Sequence, residues 1–140
     1  MEDNLPPEVP MNLFADINTF HLACDQWPSD ENYKMYLNLI KEEFEELQEA
    51  VEANDRKEQL DALIDILVVT IGAVIQGGFE GEGAWEEVMR TNFAKIDPNT
   101  GKVRKREDGK VLKPDGWQPP NLDPFLDKVI PEEPIVIQNV

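Results

Sequence analysis

Between residues 31 and 53 apolar side chains return every three or four positions: Tyr33, Tyr36, Leu37, Ile40, Phe44, Leu47 and Val51. That spacing predicts an amphipathic helix from about Glu31 to Ala53. Pro28 breaks the chain before it, and Ser29 or Asp30 suits the N-cap. Upstream, Leu13, Phe14, Ile17, Phe20 and Leu22 predict a first helix from Met11 to about Cys24. Asn54 and Asp55 form a tight turn after the second helix. Asp55 followed by Glu58 has capping-box spacing, so a third helix starts there and stops at Gly77-Gly78. This helix is apolar over most of its circumference, through Leu60, Leu63, Ile64, Ile66, Leu67, Val68, Val69, Ile71, Val74 and Ile75. Such a helix is expected to be buried on nearly all sides. A chain of this size struggles to bury it alone, which predicts a homo-oligomer. A fourth helix is expected over about Glu82 to Ile96, with Trp85, Val88, Met89, Phe93 and Ile96 facing inward.

Beyond Asp97-Pro98 the pattern changes. Residues 101–113, GKVRKREDGKVLK, are locally basic. Asp108-Gly109 lies between short β-prone runs and predicts a hairpin. Residues 114–140 are Pro-rich and read as an extended arm. The expected organisation is a flexible leader over 1–10, an all-α helical domain over 11–97, and a basic hairpin with its arm over 98–140. That last part would pack on the core or on a partner subunit.

Charge narrows the function. The 140 residues hold 29 Asp and Glu against 13 Lys and Arg, a formal net charge of −16. Nucleic acid and anionic membrane surfaces need a basic footprint, so neither is expected as the main partner. The single cysteine, Cys24, rules out a disulfide framework within the chain and fits a reducing cytoplasm. The start MEDNLPPEVP is wrong for a signal peptide. The most apolar run, Ala62 to Ile75, is too short for a membrane span and contains Asp65.

The acidic residues are not equivalent. At about 100° per residue, Glu45, Glu49 and Glu52 point away from the apolar stripe of the second helix and are expected in solvent. Glu43 and Glu46 sit at the edge of the stripe, with Glu42 one turn before Glu46. On the third helix Asp61 and Asp65 stand one turn apart on a surface expected to be buried. Buried carboxylates without partners are costly, and two on one strip repel. No Lys or Arg follows Lys57 on that helix, so a metal ion is the economical compensation. The short turn makes the two helices antiparallel neighbours. Glu46 should then lie near Asp61 or Ala62, and Glu42 and Glu43 near Asp65. All-oxygen ligands suit Mg²⁺ or Mn²⁺, and one His and one Cys leave zinc few ligands. For Glu58 the cap is a sufficient role.

A candidate anion site lies further along. Asn92 falls within the apolar stripe of the fourth helix and Lys95 on its flank; together they suit a phosphate, while a core amide and a surface ammonium is the plainer reading. The basic segment, with Lys110 and Lys113, can close over a polyphosphate or be a solvated hairpin. His21 reads as either a core residue or a contact to a base. Trp27 and Trp117 can stack on a base or simply pack.

These residues resemble a known family. Leu39 to Leu47, LIKEEFEEL, is similar to the E-E-x-x-E-L helix of the MazG-like all-α nucleoside triphosphate pyrophosphohydrolases. That superfamily includes the dimeric dUTPases and the phosphoribosyl-ATP pyrophosphohydrolases. Glu58-Gln59-Leu60-Asp61 matches the second half of the signature, E-x-x-D. A second register, Asp65-Ile66-Leu67-Val68-Val69, resembles the D-[LI]-[LI]-[YV]-V stretch but puts Ala62 where a Glu is expected. VMRTNFAK, Val88 to Lys95, together with DGKVLKPDGWQPPNL, resembles short phage and bacterial members of the phosphoribosyl-ATP pyrophosphohydrolase type.

The resemblance implies a four-helix all-α core, a homodimer or homotetramer, and Mg²⁺-dependent hydrolysis, with Mn²⁺ as a substitute and two or more ions per site. A nucleoside triphosphate would be cleaved to its monophosphate and pyrophosphate. Glu42, Glu43, Glu46, Asp61 and Asp65 would hold metal, with Glu43 and Glu46 as the catalytic carboxylates. Asn92, Lys95, Lys110 and Lys113 would bind phosphate, and His21 and Trp27 the base. Guanine nucleotides, dGTP or GTP, are the first candidates, in a role controlling nucleotide pools; dUTP or dCTP is the alternative. A reading of another class is a non-catalytic helical adaptor, in which Asp61 and Asp65 face solvent or a basic residue of another subunit.

Overall fold

The computed structural model describes residue 8 and residues 10–128. Most of the expected leader and the last part of the arm, residues 129–140, lie outside the described residues. Four helices appear in the expected order: α1 (Leu13–Ala23), α2 (Asp30–Glu52), α3 (Arg56–Gln76) and α4 (Gly81–Phe93). The chain forms two compact units, one ending at Gly77 and one starting at Gly78.

The first unit holds α1 to α3. Each helix starts on a side-chain cap that satisfies an orphan amide. Asn12 accepts from Ala15 N–H, Ser29 from Asn32 N–H, and Asp55 from Glu58 N–H, at 3.0, 3.0 and 3.1 Å. Asn54 takes a left-handed backbone, φ 53°, which lets three residues reverse the chain between α2 and α3. α2 packs along α3, and α1 packs on α3. The core between them centres on Tyr36, Val69 and Ala73, with Tyr33, Leu39 and Ile40 against it.

α3 does not fit the expectation of burial all round. Ala62, Val69, Ala73 and Gln76 face the core and are buried. Leu60, Leu63, Ile64 and Leu67, one stripe on the opposite side, are 62, 49, 50 and 49% exposed. On α2, Leu37, Phe44 and Val51 are exposed as well. Two helices can cover only one side of α3, so the other apolar side stays bare in a single chain.

The second unit holds α4 and the residues after it. α4 is capped by Glu80, whose carboxylate accepts from Gly83 N–H at 2.6 Å. It ends three residues earlier than expected. Ile96-Asp97 leave the helix to pair antiparallel with Lys102-Val103 as strands β1 and β2. Pro98 favours this, because the residue before a proline avoids helical backbone. An isolated antiparallel bridge joins Lys105 and Val111 around Asp108-Gly109, with Gly109 at φ 88°.

The segment after the bridge runs back along α4. Trp117 Nε1–H donates to Thr91 O at 2.7 Å, Asn121 N–H to the Glu87 carboxylate at 2.6 Å, Glu80 N–H to Phe125 O at 2.9 Å, and Lys128 N–H to Gly78 O at 2.7 Å. As the segment advances its partners recede, so it lies antiparallel to the helix as a strap. Phe125 approaches Gly83 so closely that a Cβ there would strike its ring. The strap covers the Thr91 side of α4. Trp85 and Phe93, expected to face inward, are 60 and 62% exposed, because among the described residues this unit has no second α-helix to cover them.

Candidate active site

The carboxylates gather on the α2–α3 pair. Burial first, then a hydrogen bond and the charge of Glu46, then the charges of Asp65 and Asp61, raise the Glu43 carboxyl above the ordinary carboxylate range. Burial, then Asp61 and Glu46, raise Asp65. Four residues therefore share one electrostatic neighbourhood: Glu43, Glu46, Asp61 and Asp65. Among the described residues the ion pairs are Arg90–Glu87 and Arg106–Asp108, and neither includes any of the four.

Glu43 carries the decisive detail. Its Oε2 is buried and has no hydrogen-bond partner. A buried acceptor without a donor is rare and costs about 1–3 kcal/mol. A divalent cation satisfies it, and it also removes the repulsion that raises Glu43 and Asp65. An all-oxygen set of this kind matches Mg²⁺ or Mn²⁺. Among the described residues no three acidic, His or Cys side chains already close on one point.

Two placements differ from the expectation. Glu42 is exposed, as Glu46 is, and is not among the charges that raise Glu43 and Asp65. It lies one residue round α2 from Glu43, enough to turn it off the α3-facing edge. Asp61 is also exposed and Asp65 only half-buried. The two aspartates are therefore not both buried in the single chain, and Glu43, itself half-buried, has one oxygen, Oε2, out of solvent. Glu58 donates its backbone N–H to the Asp55 cap, as its spacing predicted. Glu45, Glu49 and Glu52 are exposed.

His21 is a core residue, not an open base contact. It is 2% exposed, with Gln76 Nε2 at 2.8 Å from its Nδ1 and Tyr36 stacked at a tilt, centroids 4.9 Å apart. Gln76 Oε1 accepts from Asn32, and Tyr36 O–H donates to Gln26. The sequence reading missed this network. Its signal was Gln76, a long polar side chain at the end of an apolar helix. Trp27 is 44% exposed, and its carbonyl accepts from Asn32.

In the second unit Asn92 Oδ1 accepts from Lys95 Nζ at 3.0 Å. Lys95 Nζ and Lys113 Nζ both lie over the Trp117 ring, 5.1 and 4.7 Å from its centroid. Lys110 is not part of this group. It is exposed, and its backbone closes the turn at Asp108.

Residues 24–92 match the sequence profile of the phosphoribosyl-ATP pyrophosphohydrolase family. The match covers just under half of the 140 residues and is a likeness to that family over α2, α3 and most of α4. The matched stretch takes in α2, α3, all four clustered carboxylates and Asn92. An uncharacterized protein of Acanthamoeba polyphaga mimivirus is similar as well, 40% identical over 81 residues. That alignment covers 56% of this chain and 32% of the viral protein, so the chain spans about a third of that relative. No single helix among the described residues is long and apolar enough to cross a membrane.

Proposed function

We propose that this chain is a metal-dependent nucleoside triphosphate pyrophosphohydrolase, releasing pyrophosphate and a nucleoside monophosphate. The observation that carries the reading is the unpartnered Oε2 of Glu43 among three other carboxylates, none of which is paired with a cationic side chain among the described residues. Glu43, Glu46, Asp61 and Asp65 would hold Mg²⁺ or Mn²⁺, two or more ions per site. The ions, when bound, supply neutralisation of the triphosphate and a lowered pKa for the attacking water. Glu43 or Glu46 takes the proton that water loses. Within the second unit, Asn92, Lys95 and Lys113 offer amide and ammonium donors of the kind that bind phosphate.

The bare stripe of Leu60, Leu63, Ile64 and Leu67 supports a homodimer or homotetramer, because monomers rarely leave such a patch open. Guanine nucleotides, dGTP or GTP, are the proposed substrates, with dUTP or dCTP as the alternative, in cytoplasmic control of nucleotide pools. The exposure of Asp61 is what a non-catalytic adaptor would also show, but an adaptor has no use for the orphaned oxygen of Glu43.

The test is direct. Purified protein with Mg²⁺ and a panel of nucleotides should release pyrophosphate and lose that activity in excess EDTA. No release from any nucleotide, or undiminished release in EDTA, sinks the proposal.

A further inference from the structure

Trp117 lies beyond the residues matched by the family, and the reading above gives it no part. Its surroundings do. The indole N–H donates to the carbonyl of Thr91, in the last turn of α4, where helix carbonyls lose their intrahelical partners. Thr91 is 2% exposed, and its hydroxyl is bonded to Val88 O, so the anchor is fixed. The ring is thereby held at the end of α4, and two ammonium groups lie over it. One comes from Lys95, just past the helix; the other comes from Lys113, at the start of the strap.

Two like charges beside one indole repel. Each is drawn to the ring quadrupole, and Lys95 is steadied further by Asn92 Oδ1. Among the described residues neither ammonium forms a salt bridge, although the chain carries 29 acidic residues. A pair of unneutralised ammonium groups held together calls for an anion with more than one charge.

We propose that Trp117 is a positioning residue that sets Lys95 and Lys113 as a pair for the phosphoanhydride end of the substrate, and that Lys110 has no share in this. The inference rests on the pyrophosphohydrolase reading, and it adds the residue that organises the phosphate contacts. Trp117 itself touches no reacting atom in this scheme; it acts through the two lysines.

The test uses the full chain and inorganic pyrophosphate without metal, with binding followed by calorimetry. Trp117→Leu should weaken pyrophosphate binding roughly tenfold, as expected for losing two cation–π contacts of ordinary strength. Trp117→Phe keeps a ring under both ammonium groups and should stay within about threefold of the parent. Lys110→Ala should bind as the parent does. In a Lys95→Met, Lys113→Met background, Trp117→Leu should cause no further loss. In turnover, Trp117→Leu should raise KM for the nucleotide more than it lowers kcat. Unchanged pyrophosphate binding in Trp117→Leu overturns the proposal, as does a loss that persists without both lysines. If Trp117→Leu does not fold, Trp117→Phe decides, because a tenfold loss there assigns the effect to the Thr91 anchor and overturns the ring's role. A chain that hydrolyses nucleotides with Trp117 indifferent fails this inference alone. A chain that neither hydrolyses nucleotides nor binds pyrophosphate fails the reading beneath it.

Discussion

His21 Nδ1 faces the side-chain amide nitrogen of Gln76 at 2.8 Å in the middle of the three-helix unit. Gln76 Oε1 is already taken by Asn32, so the amide nitrogen donates and Nδ1 accepts. The neutral ring then carries its proton on Nε2. Burial lowers the pKa of His21 below its ordinary 6.5. Below that ordinary value the unfolded chain binds a proton that the folded chain refuses. This contribution to stability is therefore complete above about pH 6.5 and is lost as pH falls towards the folded pKa. Urea unfolding between pH 7.5 and 5.5 should show falling stability, and His21→Asn should flatten that slope while lowering stability at pH 7.5.

The clustered carboxylates have the opposite sign. Glu43 and Asp65 have raised pKa values, so in the metal-free protein their ionisation works against the fold. Any stabilisation from these groups is full below the ordinary carboxylate range and lost as pH rises through their folded pKa values. In EDTA at pH 7.5, Glu43→Gln and Asp65→Asn should each raise the melting temperature by a few degrees, roughly the response to 1 kcal/mol in a domain of this size. The same variants should release no pyrophosphate, and Mg²⁺ should no longer raise their melting temperature as it does for the parent. A lowered melting temperature in EDTA would contradict the repulsion described here.

Glu42 separates the structure from the motif. Glu43→Gln should abolish turnover, whereas Glu42→Gln should keep it within about tenfold, since Glu42 is not among the carboxylates that act on Glu43 and Asp65 and supplies at most one outer contact. Steady-state kinetics at saturating Mg²⁺ decides between them, and equal loss in both variants would place Glu42 among the ligands.

The bare side of α3 predicts assembly. Leu63→Glu with Leu67→Glu puts two charges into the 49% exposed stripe. Light scattering should show the parent as an oligomer and the variant as a monomer. A parent that stays monomeric at tens of micromolar would leave the stripe without its proposed cover.

Gly72 marks the tightest point of the core. A Cβ there would lie 2.6 Å from Tyr36 Cε1 and 3.1 Å from His21 Cε1, both on buried rings. Gly72→Ala should cost roughly 1–3 kcal/mol, the range for overpacking, despite alanine's better helix propensity. Denaturant unfolding measures it.

Local features were legible along the chain. The spacing of Tyr33 to Val51, the cap at Asp55 and the Gly77-Gly78 stop placed α2 and α3 to within a residue or so, because caps and helical periodicity act over a few residues. The pairing of Glu43 and Glu46 with Asp61 and Asp65 was also legible, since a three-residue turn leaves two helices little choice but to run antiparallel. Periodicity could not say which apolar side of α3 the chain itself covers, and so it overstated the burial of Asp61.

The sequence by itself determined the four helices, the acidic edge shared by two of them and the likeness to the phosphoribosyl-ATP pyrophosphohydrolases, because each rests on neighbours within a turn or two. Tertiary structure alone decided that one oxygen of Glu43 is buried, that Asp61 is exposed, that His21 pairs with Gln76, and that Lys95 and Lys113 both lie over Trp117. Those four outcomes depend on contacts between residues that are distant along the chain or on which side of a helix is covered. Only packing sets these.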